Sequence, residues 1–568
     1  MLLLHYLMPL IKVLPPDVRN KIAAGEVVER PASVVKELIE NSIDAGSTYI
    51  KVDVLYGGKR LMRVSDNGTG MDREDALLCF ERHATSKLST EDDLFNLKTM
   101  GFRGEALPSI ASVSKVTITT GTKGSSSGVS IVISGGEVKE MKDSPSTGTT
   151  IEVRDIFFNT PARKKFLKSN NTELFHIIDT VTKEALSHWG IAFRLTSDHK
   201  ETITLPLASG PKERIMQVYG EEFLYDITGV DTEAAELKMA AFFTKGDSFR
   251  NMKSHQYIFV NRRPIKDQSI AHAVYKAYEG IIPRDKHPVF FLFLDIDPGK
   301  VDFNVHPAKR EVRFEDRESV YRFVHETIRA SVKSERTEYA RQFTEQPEMA
   351  FPNPHSGTYS SPDTFAFSQT KSIVSENLEL AYRTTLPFIY LGDTFLAVSG
   401  KGGLTLIDHH AAHERILFEK FLRGINPGSY RLLFPKQIKL SAKEYRVLLE
   451  NADILRDFGI EADDFGHETV LVRSLPDALD DADLRGILSD VASCVIDGVA
   501  PDKSLKEALA ARIACHNSVR GKEILNQEQL SVLLSDLEQT DHPDQCPHGR
   551  PTRIFLSLDD LKKMFKRK

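Results

Sequence analysis

Hydrophobic positions along the chain recur with two different periods, which predict alternating strands and helices. Apolar runs at 50–56 and 116–120 are typical of strands. Directly after Pro31 the apolar residues recur every three or four positions instead, and proline suits the first turn of a helix. Further along, strands are predicted at 257–260 and 289–294. The chain is therefore predicted to have an α+β fold.

The periodic pattern is interrupted at 334–385, where proline, serine and other polar residues predominate. Such a composition cannot bury a core and predicts a flexible linker. Since 568 residues exceed what one hydrophobic core supports, several domains are expected. We predict domains at 1–209, 210–333 and 386–568, with the linker before the last one.

Composition and charge narrow the class of protein. Hydrophobic residues make up 41% and charged residues 27% of the chain, and the net charge is −6, so any nucleic acid must be bound by local basic patches. The apolar start ends at Lys12 without a basic region or a cleavage site, so no signal peptide or membrane span is predicted, and Met8 is an alternative start. Four cysteines are too few for a disulfide framework, which predicts a cytoplasmic protein.

The helix after Pro31 carries Glu37, Asn41 and Asp44 on one polar face. From spacing alone, a solvated helix face is the commoner interpretation. Three glycine-containing turns follow predicted strands or lead into apolar runs, at 66–70, 101–107 and 148–150. Because glycine permits close approach of the backbone to a ligand, the combination favours a nucleotide site.

Four segments of the first domain together resemble the GHKL ATPases, which include gyrase B subunits and histidine kinases. These segments are 37–46, 66–70, 82–87 and 101–107. The wording of 22–33 and of 101–107 is similar to the MutL family of DNA mismatch repair proteins within that group, and the resemblance extends over the chain apart from the linker. It implies a Bergerat-type α/β sandwich, a ribosomal-protein-like α+β transducer domain and an α+β domain for dimerisation.

The resemblance implies roles for the polar residues of the first site. Glu37 matches the general base that orients the attacking water, and Asn41 matches the ligand of Mg²⁺. Asp66 matches the carboxylate that accepts a hydrogen bond from the adenine amino group, and Thr149 supports that contact. The residues expected to bind ATP are Asn41, Asp66, Gly68, Gly70, Thr85, Ser86, Lys87, Gly101, Phe102, Arg103, Gly104, Thr149 and Lys309.

Lys309 belongs to the second domain, and from composition alone it is an ordinary surface lysine. The resemblance implies that it reaches the γ-phosphate and so couples ATP to the angle between the two domains. Together with Arg310 and the segment 260–265, which contains Arg262 and Arg263, it gives local positive charge. A groove for DNA phosphates is one interpretation, and solvated turns are nearly as common.

A second cluster of candidate ligands lies at 408–419, after an apolar run at 404–407 that predicts a buried strand. Asp408 would lie at the strand end, and His410 and Glu414 one helical turn apart on the same face, as two ligands of one cation require. A capping role for Asp408 is the structural alternative.

Two distant segments carry further ligand types, namely Cys515 and the pair Cys546 and His548. Cysteine and histidine favour Zn²⁺ or Mn²⁺ over Mg²⁺ alone, although a buried structural role is about as common for Cys515. The C-terminal segments resemble the endonuclease-bearing branch of the MutL family, with His409 in place of a glutamine. The implied metal ligands are Asp408, His410, Glu414, Cys515, Cys546 and His548, of which the first three are the implied catalytic residues, while Glu419 is expected to be structural.

The resemblance implies DNA, the mismatch-recognition protein MutS and a second copy of the chain as partners. Leu433 and Pro435 match the apolar anchors of a docking strand for the replication sliding clamp, although Tyr430 replaces its glutamine. The leading hypothesis is a homodimeric ATPase that nicks DNA, and the alternative is an ATP-gated matchmaker without a nuclease. A histidine kinase is disfavoured because it would need a phospho-accepting helix before the ATP domain, and Glu37 comes too early in the chain. A topoisomerase is disfavoured because 568 residues leave no room for its cleavage domain beside the segments already assigned.

Overall fold

The computed structural model describes residues 24–564 apart from 26, 88–98, 102–103, 125–126, 235, 246–247, 251–252, 283–285, 304–311, 345–387, 392–393, 401, 424–428, 477–478, 480–482, 498–505, 508–509, 512, 515–526 and 548. The chain forms two compact units. One is Met1–Lys333 with Asn426–Arg512, and the other is Ser334–Ile425 with Ile513–Lys568. None of the described helices is long and apolar enough to cross a membrane.

A mixed eight-stranded sheet organises the start of the first unit, in the order β5-β4-β3-β6-β2-β1-β7-β8. Its strands are β1 (Tyr49–Leu55), β2 (Leu61–Asp66), β3 (Lys115–Gly121), β4 (Gly128–Ser134), β5 (Glu137–Ser144), β6 (Gly148–Arg154), β7 (Ala192–Ser197) and β8 (Lys200–Leu205). Strands β1 and β7 run parallel, and the other neighbours are antiparallel. Buried and less buried residues alternate along β1 and β3, as the predicted strands require.

Helices cover this sheet: α1 (Pro31–Asp44), α2 (Arg73–Leu78), α3 (Ala106–Ser112), α4 (Pro161–Phe166), α5 (Asn170–Ser187) and α6 (Pro211–Tyr219). Helix α1 confirms the prediction after Pro31, and it buries the stripe that includes Val34, Val35, Leu38 and Ile39. This burial leaves Glu37 and Asn41 on a partly exposed face of the helix.

A five-stranded sheet, β12-β11-β13-β10-β9, forms the second layer of the first unit. Its strands are β9 (Ile227–Ala234), β10 (Leu237–Thr244), β11 (Gln256–Val260), β12 (Arg263–Ile265) and β13 (Phe290–Ile296). Helices α7 (Gln268–Ala277) and α8 (Arg317–Thr344), 3₁₀ turns at Glu222–Asp226 and Pro298–Lys300, and the hairpin of β14 (Val301–Asp302) and β15 (Arg313–Phe314) accompany it. Helix α8 continues beyond residue 333, where the linker was predicted to begin, because no proline or glycine interrupts 334–344.

The rest of the first unit is a three-stranded antiparallel sheet, β19-β21-β20, with three helices. Its elements are β19 (Ser429–Lys439), α10 (Ala442–Glu450), α11 (Ala452–Asp457), β20 (Glu461–Gly466), β21 (Thr469–Pro476) and α12 (Leu484–Asp497). Helix α10 begins with a capping box between Ser441 and Glu444, which satisfies backbone donors at its first turn.

The second unit contains a four-stranded antiparallel sheet, β16-β17-β18-β22. Its elements are β16 (Phe388–Leu391), β17 (Phe395–Gly400), β18 (Gly403–Asp408), α9 (His409–Leu422), α13 (Gln527–Glu538), β22 (Arg553–Ser557) and α14 (Leu558–Met564). Strand β18 confirms the strand predicted at 404–407, but the expectation that it is buried holds only for Ile407. Ile407 faces the core, whereas Leu404 and Leu406 lie on the opposite face of the sheet. The α+β prediction is confirmed in both units.

Candidate ATP site and C-terminal metal site

Helix α1 brings its polar stripe to Lys87 and Gly101, which belong to the two segments, 85–87 and 101–104, that match the lid over the phosphates in the GHKL ATPases. The Nζ atom of Lys87 donates to Oδ1 of Asn41 at 2.8 Å and to Oδ2 of Asp44 at 2.6 Å. Oδ1 of Asn41 is an oxygen of the kind Mg²⁺ prefers, and an ammonium group already compensates the carboxylate beside it. The predicted residues Asn41 and Lys87 are therefore direct neighbours.

Asp44 connects this helix to the second covering segment. Its Oδ1 accepts from the backbone N–H of Met100 at 2.7 Å, and its Oδ2 accepts from the N–H of Gly101 at 2.9 Å. A Cβ atom on Gly101 would lie 3.0 Å from Nζ of Lys87, so the glycine permits this close approach. Asp44 was not among the predicted site residues, although its i+7 spacing from Glu37 places it on the same polar face.

Asp66 and Thr149 form the other end of the predicted site, where they are register partners between β2 and β6. Oδ2 of Asp66 accepts from the hydroxyl of Ser42 at 2.8 Å, and Oδ1 accepts from the N–H of Gly68 at 2.9 Å. The hydroxyls of Thr149 and Thr120 lie 3.0 Å apart. Asp66 is thus held at the end of its strand by α1 and by the glycine turn that follows.

Two glycines explain the tight turns around this site. Gly70 has φ +70°, and a Cβ there would meet the carbonyl oxygen of Gly121 at 2.1 Å. Gly104 has φ +62°, and a Cβ there would meet the carbonyl oxygen of Ala84 at 2.5 Å. The second contact places Gly104 directly beside Ala84, and within the same segment Thr85 accepts from the N–H of Lys87 at 3.1 Å. Ser86 lies between Thr85 and Lys87 in the chain. Phe102, Arg103 and Lys309 lie outside the described residues.

The segment expected to line a DNA groove divides into two environments. Arg262 is exposed, and its guanidinium lies 5.0 Å from the ring centroid of Trp189. Arg263 is only 4% exposed and donates from Nη2 to the carbonyl oxygen of Thr99. The expectation that Arg263 contributes to a DNA groove is therefore wrong, because a buried guanidinium cannot reach DNA phosphates.

A buried cluster of charged and titratable residues that was not predicted from the sequence lies between α1 and the end of α5. Lys36 pairs with Glu40 at 2.9 Å, and both are largely buried. Burial, together with the nearby Glu40 carboxylate, raises the pKa of Glu184 to about 8. Burial likewise lowers the pKa of His188 to about 4. These groups lie on α1 and at the end of α5, so only the packing of the two helices brings them together.

In the second unit, Asp408 lies at the end of β18 and caps α9. Its side chain accepts from the N–H of Ala411 at 3.0 Å, and its own N–H donates to the carbonyl of Thr552 at 2.9 Å. His410 and Glu414 lie one turn apart, with Nε2 and Oε1 separated by 3.6 Å, and Glu414 is 2% exposed. Asp408 therefore does cap the helix, as the structural alternative held, and His410 and Glu414 lie one turn apart on the same face of α9.

His409, the residue that departs from the family motif, is held by its surroundings. Its Nδ1 lies 2.7 Å from the carbonyl oxygen of Thr394, and its ring packs edge-on to that of Tyr390. Burial lowers its pKa. Glu419 is also structural in its contacts, because it accepts from the N–H of Asp541 at 2.7 Å and from Arg423 at 3.0 Å.

Cys546 is buried in the loop that joins α13 to β22. Its N–H donates to the carbonyl of Arg550 at 2.8 Å, and Nε of Arg415 donates to the carbonyl of the preceding Gln545. This loop therefore lies against α9 one residue beyond Glu414. Cys515 and His548 lie outside the described residues, and among the residues that are described no three His, Cys, Asp or Glu side chains form a metal-binding group.

The predicted clamp-docking anchors are prominent on β19. The pairing of β19 with β21 shifts register between Arg431 and Lys436, so the residues between them leave the regular ladder. Leu433 is 87% exposed, and Phe434 and Pro435 are exposed beside it.

Three family models match the chain in order. They describe a histidine kinase-, DNA gyrase B- and HSP90-like ATPase (residues 29–154), the C-terminal domain of DNA mismatch repair protein (215–333) and the MutL C-terminal dimerisation domain (389–525). The DNA mismatch repair protein MutL of Thermodesulfovibrio yellowstonii is 41% identical over 98% of this chain and 99% of its own length. The chain belongs to the MutL family.

Other members of the MutL family give the same match. The DNA mismatch repair protein MutL of Geotalea daltonii is 38% identical over 98% of this chain and 99% of its own length. Among solved structures, the Aquifex aeolicus MutL ATPase domain complexed with ADP is 31% identical, covers 48% of this chain and 94% of that chain, and superposes with a TM-score of 0.37. The chain thus carries a GHKL ATPase domain, a mismatch-repair domain and a MutL dimerisation domain.

Proposed function

We propose that this protein is a homodimeric, ATP-hydrolysing mismatch repair protein that nicks DNA with a metal site in its C-terminal unit. The observation that carries the ATPase proposal is the convergence of Asn41, Asp44, Lys87 and Gly101, which joins the polar stripe of α1 to both covering segments. ATP binding and hydrolysis would couple mismatch recognition by MutS to the later steps of repair. Lys309 would reach the γ-phosphate, and the exposed Arg262 would contribute to DNA binding.

At the ATP site the chain's own residues divide the work. Glu37 would accept a proton from the attacking water, and Asp66 would select adenine by accepting from its amino group. Asn41 would hold Mg²⁺, which supplies charge neutralisation of the phosphates when bound. Oδ1 of Asn41 accepts a hydrogen bond from Lys87 in this structure. This oxygen would become available to Mg²⁺ when the lysine turns to the phosphates.

The nuclease proposal rests on the described part of the C-terminal donor set. His410 and Glu414 would hold the cation together with Asp408, whose cap leaves a second carboxylate oxygen, and Cys546 would join them from the loop that packs beside α9. A bound Mn²⁺ or Zn²⁺ would supply activation of water for attack on a phosphodiester. The chain's contribution is to fix these donors on one helix and one adjacent loop.

A dimer is supported by the face of the C-terminal sheet opposite its core. Residues that are register partners across four strands share this face: Ile389, Leu391, Phe395, Ala397, Leu404, Leu406, Ile554 and Leu556. Ile389 is 67% exposed, and Leu391, Phe395 and Ile554 are also exposed. An apolar sheet face of this size is typical of an interface, and a second copy of the chain is the partner that the dimerisation domain implies.

An alternative function, an ATP-gated matchmaker without a nuclease, is favoured by one observation. Within the described part of the chain, no three potential ligands come together. In that case the exposed Leu433, Phe434 and Pro435 would recruit other proteins, among them the replication sliding clamp, and the cysteines would be structural.

The two functions are separated by supercoiled-plasmid nicking with Mn²⁺ as the only divalent cation. Asp408→Asn keeps a good helix cap but removes the carboxylate, so we expect nicking to fall at least tenfold without loss of folding. Asp559→Asn, at an exposed position of α14, is the control and should nick like the wild type. Unchanged nicking by Asp408→Asn would refute the nuclease.

A further inference from the structure

Arg263 belongs to the second layer of the first unit, yet its side chain ends in the ATPase layer. It lies at the start of β12 and donates through Nη2 to the carbonyl oxygen of Thr99. Thr99 is followed directly by Met100 and Gly101, whose N–H groups are both held by Asp44. The segment 99–101 is therefore fixed from two sides, by α1 and by the second layer.

The environment of Arg263 favours one charged position. Its guanidinium lies 4.8 Å from the ring centroid of Phe303, which is fully buried. Burial lowers the pKa of Arg263 from its usual value. The negative charges of four carboxylates act in the opposite direction and favour the charged guanidinium: Glu40, Asp44, Glu184 and Glu37. A guanidinium remains charged under such conditions, so it can bind a carbonyl oxygen strongly in a site that excludes water.

We infer that Arg263 is a positioning residue that sets the place of the segment 99–101, and with it Gly101, over the bound nucleotide. Helix α1 supplies the other half of this arrangement through Asp44. The inference rests on the proposed ATPase function and adds a contact through which the second layer acts on that site.

A positioning role predicts a specific kinetic result. In Arg263→Gln, kcat for ATP should fall about tenfold, equal to about 1.4 kcal/mol of activation free energy, while KM changes less than threefold. Arg263→Lys keeps the positive charge and one donor, so it should recover part of kcat. Lys266→Gln removes an exposed charge just beyond the same strand and should behave like the wild type.

A double-mutant cycle separates positioning from general destabilisation. If Arg263 and Asp44 act on one segment, Arg263→Gln and Asp44→Asn together should reduce kcat by clearly less than the product of the two single effects. Thermal unfolding of each variant provides the control for stability. Wild-type kcat in Arg263→Gln, or fully multiplicative effects, would overturn the inference; absence of ATP hydrolysis in the wild-type protein would instead overturn the proposed function.

Discussion

The ATP site and the C-terminal site differ in how the chain assembles them. At the ATP site the described donors come from helix ends, strand ends and glycine turns between residues 37 and 149, and they contact one another directly. At the C-terminal site Asp408 caps α9 and His410 and Glu414 lie in the first turns of that helix, while the remaining candidates come from segments more than 90 residues away. The described residues of the first site are joined by hydrogen bonds between separate elements, whereas those of the second lie along α9 and beside the loop of Cys546.

A large effect on ATP turnover should come from Asp44, which accepts from three donors at the ATP site. Asp44→Asn keeps one acceptor oxygen but places an NH₂ group against the N–H groups or the ammonium, so kcat/KM for ATP should fall roughly ten- to hundredfold. Asp72→Asn replaces a helix-capping aspartate in the same domain and should keep wild-type turnover. Equal rates for the two variants would remove Asp44 from the comparison.

Glycine substitutions compare the two sites through the free energy of unfolding. Gly70→Ala at the ATP site should lower the free energy of unfolding by about 2 kcal/mol or more, because a left-handed conformation is combined with a clash against Gly121. Gly549→Ala in the C-terminal loop has a similar positive φ but no neighbour within 4 Å, so about 1 kcal/mol is expected. Denaturant unfolding would contradict this account if the two variants were equally stable.

A substitution on the exposed apolar face of the four-stranded sheet tests the second unit alone. Ile389→Glu places a charge on the exposed apolar face of the sheet, at its β16 edge, so the dimer should dissociate at concentrations where the wild type remains dimeric. Val532→Glu makes the same change at an exposed position of α13 and should leave the dimer intact. Sedimentation equilibrium measures both, and a fully dimeric Ile389→Glu would assign dimerisation to another surface.

The smallest effect is a pH dependence that belongs to the first unit. Because the pKa of Glu184 is raised to about 8 in the folded protein from an ordinary value of 4.5, its protonated form stabilises the fold at low pH, and this contribution is lost as pH rises through that window. Glu184→Gln remains neutral, so its stability should fall less between pH 5 and 8. Parallel stability curves for the two proteins would contradict this assignment.

Local patterns predicted the strands and α1 well, because apolar spacing and glycine turns reflect backbone geometry directly. They also suggested that His410 and Glu414 share a helix face. The burial of Arg263 could not be predicted, since it depends on how β12 packs against α1 and the segment at Thr99. The same holds for Glu184 and His188, whose shifted pKa values arise from packing between helices distant in sequence.

The most direct test measures ATP hydrolysis and Mn²⁺-dependent plasmid nicking side by side for Glu37→Gln and Glu414→Gln. Removing the proposed general base should reduce ATP turnover at least a hundredfold while ATP still binds. Removing the buried helix carboxylate should abolish nicking and leave ATP turnover within about twofold of the wild type. Wild-type ATP turnover in Glu37→Gln, or wild-type nicking in Glu414→Gln, would contradict the account of two separate sites.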